Sequence, residues 1–184
     1  MTHNAPVIAV FGASQTPPGH PDWDAAVRCG AGLAAAGYAV ATGGYGGLME
    51  AASLGASDAG GHVIGFTAPD VFPGRHEANS HVAEERPATS LTERIHIMLA
   101  RSDGAIALDG SIGTLTELLM AWNVAFVAQF SGAPAKPLVA VGDRWSRIVA
   151  DLTEDLATDG SLVTCVEHVD DAISVIRWAV PTTD

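Results

Sequence analysis

Short apolar runs and amphipathic stretches alternate along most of the chain, and the switch between a period of two and a period near 3.6 marks the elements. Residues 7–11 (VIAVF) read as a buried strand, and residues 12–16 (GASQT) as a small-residue turn into a helix. Trp23, Ala26, Val27, Gly30, Leu33 and Ala34 follow at helical spacing, with Asp22 as the expected N-cap and Gly37 as the stop. Residues 38–42 form a second strand, 43–47 (GGYGG) turn into a helix over 48–59, and 62–66 make a third strand. Further strands are predicted at 105–108 and 137–141. Further helices run through Leu91, Ile95, Met98 and Leu99, capped by Thr89 or Ser90, then over 115–130, 145–156 and 169–178. Strands alternating with helices imply an α/β protein with a parallel, doubly wound sheet, here a single domain over residues 1–184.

In such a sheet, ligands bind beyond the carboxyl ends of the strands, where the turns 12–16, 43–47 and 109–114 (DGSIGT) are expected to share one crevice. The last of these links a strand directly to the helix carrying Leu115, Leu118, Leu119, Trp122 and Ala125. Its small residues leave the backbone open, and the start of the helix presents unpaired N–H groups and the positive end of a dipole. A phosphate suits that turn. The polar stretch 68–90, with Arg75, His76, His81 and Arg86, reads either as a loop over the crevice with a short strand inside it or as plain solvated surface. The helix over 115–130 is apolar nearly all round, since Met120, Val124 and Val127 lie away from the Leu118–Trp122 stripe. In a chain of this size that points to a homodimer surface.

Composition narrows the partners. Twenty-one acidic against nine basic residues, a formal charge of −12, argues against nucleic acid or an anionic membrane, but not against a small anion held by backbone dipoles. Cys29 and Cys165 are far apart and read as reduced thiols. With no cationic leader and no apolar run of spanning length, a soluble, unprocessed, cytoplasmic protein is expected.

Several chemistries are set aside on the residues themselves. Met49 stands where a dinucleotide fingerprint needs its third glycine, no GK[ST] follows any loop, and Asp109 occupies the first glycine position of a nucleophile elbow around Ser111. The seven histidines lack paired metal spacing, so no metal is expected. Lys136, the sole lysine, is a poor Schiff-base candidate beside Pro137, so no cofactor is expected either.

Residues 42–52 (TGGYGGLMEAA) are similar to the GGGxxGLMxxxA signature of the Lonely Guy (LOG) family, often mislabelled lysine decarboxylases, and 109–117 (DGSIGTLTE) resembles its PGGxGTxxE signature. The resemblance covers most of the chain. It implies a Rossmann-like fold, a homodimer, and a phosphoribohydrolase that releases the base from cytokinin nucleoside 5′-monophosphates. It places the catalytic arginine at Arg94 and the catalytic glutamate at Glu117. Three positions depart from the family pattern: Asp109 replaces a proline, Ser111 a glycine, and Ile95 the lysine that usually follows the arginine. Candidate substrate- and phosphate-binding residues are Gly12 and Ser14 in the first turn, Gly43, Gly44, Gly46 and Met49 in the second, and Asp109, Gly110, Ser111, Gly113 and Thr114 in the third.

The chemistry fits those residue types. Cleaving an N-glycosidic bond builds positive charge on the ribose and negative charge on the base, so a carboxylate near C1′ and a cation near the base are the tools required. A first-turn carboxylate also complements a helix dipole, and Arg94 also lies within reach of a surface pair with Glu93 or Glu84. Asp109 must turn away from a phosphate or bind the ribose. A non-catalytic nucleotide- or cofactor-binding carrier is the alternative from a different functional class.

Overall fold

The computed structural model describes residues 5–72, 74 and 77–182; Arg75 and His76 lie outside them. In chain order the elements are β1 (Val7–Phe11), α1 (Pro21–Ala35), β2 (Ala39–Thr42), α2 (Leu48–Asp58), β3 (Val63–Thr67), β4 (Glu84–Pro87), α3 (Leu91–Arg101), β5 (Gly104–Ala107), α4 (Ile112–Ser131), β6 (Leu138–Val141), α5 (Asp143–Asp155), β7 (Thr164–Val166) and α6 (Val169–Ala179).

The seven strands form one sheet in the order β4-β3-β2-β1-β5-β6-β7, and every pairing is parallel. This is the Rossmann-like doubly wound arrangement. The order reverses between β1 and β5, which places the switch-point crevice between the turns that follow them. Period-two alternation divides the strands between two cores. Ile8, Val10, Val40, Ile106 and Val139 pack under α1, α2 and α6. Ala9, Phe11, Phe66, Ala107 and Ala140 pack under α3, α4 and α5. With both faces covered, the central strands read as unbroken apolar runs.

α1 and α2 approach so closely that two mid-helix glycines are needed. A Cβ at Gly30 would run into the Ala52 carbonyl, and one at Gly55 into the Val27 carbonyl. Cys29 is fully buried, and burial pushes its thiol up to about 12, so it is an inert core residue; Cys165 is also free. Among the described residues no helix is long and apolar enough to cross a membrane.

Three details differ from the sequence reading. The N-cap of α1 is His20, whose Nδ1 accepts from the Asp22 N–H at 3.2 Å, because Pro21 takes the first helical position with its φ already set for a helix. α4 begins at Ile112 rather than 115, and Leu119 is exposed, so the core stripe is Leu118, Trp122 and Ala125. β7 is an additional edge strand. The short strand expected inside 68–90 does form, as β4.

Candidate functional site

The three turns lie at the carboxyl edge of the sheet and are stitched together through their backbones. The Ala13 N–H donates to the Asp109 carbonyl at 3.0 Å, and the Leu48 N–H donates to the Ala13 carbonyl at 2.7 Å. Gly12 lies beneath Leu48. Ser14 passes beside Gly46, where an added Cβ would stand 3.6 Å from the Ser14 carbonyl oxygen. Gly47 holds φ at +70° against the Ala13–Gln15 backbone, a conformation and a proximity that exclude any side chain.

Arg94 on α3 and Glu117 on α4 meet behind these turns. Arg94 Nη2 donates to Glu117 Oε1 at 2.9 Å, with only 8% and 7% of the two side chains exposed. The alternative surface pairs do not form. Glu93 Oε2 instead accepts from the N–H and hydroxyl of Thr89, completing the cap in which Ser90 accepts from the Glu93 N–H. Glu84 holds Arg86 and His62.

The 43–47 turn provides the floor. A Cβ at Gly43 would lie 2.6 Å from Met49 Sδ and 3.2 Å from Arg94 Nη1, so glycine lets the turn press against both. The ring of Phe72 covers the guanidinium at 5.4 Å and meets Tyr45 edge-on at 5.5 Å. Phe72 and Asn79 therefore lie against the second turn, and Asn79 donates from its backbone and side chain to the Gly44 carbonyl, at 2.7 and 3.1 Å.

Two features give the pair chemical character. Burial pushes the Glu117 carboxyl up to about 7, against the downward pull of Arg94, so it changes charge near neutrality. Arg94 Nε is buried with no hydrogen-bond partner among the described residues, leaving one donor of a fixed cation unused.

The 109–114 turn leads directly into α4. Ser111 is the N-cap, but its side chain makes no capping bond, which leaves the first-turn N–H groups of Ile112, Gly113 and Thr114 open. Thr114 is buried over Gly110, where a Cβ would strike it. Asp109 turns to Arg144: Arg144 Nη1 stands 2.8 Å from Asp109 Oδ1 and donates to the Gly110 carbonyl at 2.8 Å.

A cleft of about 670 Å³ opens beyond this bridge, lined by Arg28, Asp109, Arg144, Arg147, His168 and Asp170. Arg94 and Glu117 do not line it. The large concavity and the buried titrating pair are therefore separate features, with Asp109 of the third turn and Leu48, which follows the second, lining the cleft.

The sequence reading brought Gly43, Met49, Arg94 and Glu117 to one place but missed Arg144, Phe72, Tyr45 and Asn79. A cation just past the carboxyl end of a strand was a usable signal for Arg144. Nothing in the local sequence marks Phe72.

The family model matching this chain is that of the SLOG cluster4 family, over residues 5–153. A probable cytokinin riboside 5′-monophosphate phosphoribohydrolase, LOGL9 of Oryza sativa subsp. japonica, is 38% identical over 62% of the chain, which spans about half (49%) of that longer relative. A cytokinin riboside 5′-monophosphate phosphoribohydrolase of Mycobacterium tuberculosis is 35% identical over 75% of the chain and 71% of its own length. Among solved structures, a molybdenum cofactor binding protein from Rippkaea orientalis superposes with a TM-score of 0.75 at 27% identity, covering 95% of this chain and 96% of its own.

Proposed function

The chain belongs to the SLOG cluster4 family of LOG proteins, and from that premise we propose that it is a phosphoribohydrolase, cleaving a nucleoside 5′-monophosphate to free base and ribose 5-phosphate. The observation that carries this reading is the buried Arg94–Glu117 pair, with its carboxyl near neutrality, one helical turn beyond the open N-terminus of α4.

A 5′-phosphate on the N–H groups of Ile112 to Thr114 directs the ribose along α4 towards Glu117. The C1′–N bond breaks with its electron pair moving to the base nitrogen, and positive charge spreads over C1′ and the ring oxygen. The Glu117 carboxylate stabilises that charge and accepts the proton of the water that attacks C1′. Arg94 orients Glu117 through Nη2 and offers Nε to a substrate oxygen. Being permanently charged, it does not donate its proton, so solvent protonates the departing base. Because the pair is almost fully covered, substrate enters beside or in place of the Phe72 ring.

We further assign the exposed apolar face of α4, bearing Met120, Val124, Val127 and Phe130, to a homodimer interface.

Glu117→Gln tests the assignment. Turnover should fall about a thousandfold, the scale of a lost acid–base group, with nucleotide binding retained; undiminished turnover contradicts it. The similarity to a molybdenum cofactor binding protein favours a second reading, a small-molecule carrier without turnover, which the same assay separates.

A further inference from the structure

We propose that Arg144 is the positioning residue of the 109–114 turn, neutralising Asp109 and pinning the Gly110 carbonyl so that the turn can hold a phosphate. This rests on the phosphate role given to that turn above. Arg144 belongs to α5, which follows β6. Because β6 lies beside β5 in the sheet, the side chain reaches across to the turn leaving β5. One guanidinium nitrogen serves two acceptors, Asp109 Oδ1 and the Gly110 oxygen, both at 2.8 Å.

With 53% and 40% of the two side chains exposed, this ion pair adds little to stability, so its effect is on geometry and local charge. The Gly110 carbonyl and the Ser111 N–H share one trans peptide plane and point in opposite directions. Holding the carbonyl towards Arg144 aims the Ser111 N–H at the other side of the turn, beside the open N–H groups of α4. A bare Asp109 carboxylate at this place would repel a phosphoryl dianion, and the guanidinium cancels it.

The related signature carries a proline at position 109, whose ring would stiffen the turn covalently; here an ion pair takes that place. The Asp109 N–H donates to no backbone carbonyl among the described residues, while its carbonyl accepts from Ala13, so a proline there would remove no backbone bond.

The test is calorimetric binding of ribose 5-phosphate to the full chain, with steady-state kinetics on the nucleotide it hydrolyses. Arg144→Met should weaken binding about tenfold, as expected for losing a charge-assisted anchor, and raise KM to match with a smaller change in kcat. Arg144→Lys, which keeps the charge without the fork, should fall between. Adding Asp109→Pro to Arg144→Met should recover most of the affinity, and melting temperatures should stay close throughout. Wild-type affinity in Arg144→Met overturns the proposal. So does a loss that the proline does not repair, which would make Arg144 a direct phosphate ligand. Failure of the wild-type chain to bind ribose 5-phosphate overturns it together with the phosphate role of the turn. Binding without hydrolysis of any nucleotide removes the hydrolase reading and leaves the clamp standing.

Discussion

Arg94 and Glu117 constrain each other, and the constraint has a pH signature. In the proposed reaction Glu117 works as a carboxylate, so kcat/KM should rise with pH through about 7 and level off above it. That limb should be absent from whatever activity Glu117→Gln retains, and a profile flat between pH 6 and 8 would contradict the role. The pair also shapes stability. The folded-state value of Glu117 is raised above its ordinary 4.5, so it favours folding below that value and loses the advantage as pH rises to about 7. Removing Arg94 raises it further, since the cation was holding it down. Arg94→Met should therefore cost about 3–5 kcal/mol at pH 8, where a buried carboxylate stands alone, and much less at pH 5.5, where it keeps its proton. Thermal melts at the two pH values check this; equal losses would show that the charge of Glu117 does not matter to the fold.

At the scale of elements, the site is held by close backbone approaches that glycine permits. Gly30 and Gly55 let α1 and α2 touch, and α2 in turn fixes the 43–47 turn beneath Arg94. Alanine is better than glycine in a helix by about 1 kcal/mol, yet at these positions its methyl group would enter a backbone carbonyl, and overpacking of that kind costs about 1–3 kcal/mol. Gly55→Ala should therefore lower the melting temperature; a rise would mean that the helices separate freely.

The same scale shows why some elements were legible in the sequence and others were not. β1, β2, β3, β5 and β6 are buried on both faces and stand out as apolar runs. β4 (EERP) and β7 (TCV) lie at the sheet edges, bury less, and carry no such pattern. His20 rather than Asp22 caps α1 because Pro21, with its fixed φ, takes the first helical position. At the site, the glycine turns were legible as small residues, and Arg94 and Glu117 through the resemblance to the LOG signatures, which did not foretell that the two side chains pair. The Arg144 bridge was not legible, because it depends on β6 lying next to β5, and that neighbour relation is set by the crossover.

For the whole molecule, the apolar face of α4 is a feature that burial within one chain leaves unexplained. Val127 is 55% and Phe130 78% exposed, in a chain of net charge −12. Light scattering should give a dimer for the native chain and a monomer for Val127→Glu/Phe130→Glu, which places charge at the centre of that face; a monomeric native chain would contradict the interface. Hydrolysis of an N-glycosidic bond is the activity we propose for this chain. The most direct test is to incubate the purified protein with a panel of nucleoside 5′-monophosphates and quantify free base and ribose 5-phosphate by chromatography. A phosphoribohydrolase should release the two products in equimolar amounts from at least one nucleotide. A nucleotide that stabilises the protein thermally yet is recovered intact after long incubation would contradict the proposed activity and establish a carrier instead.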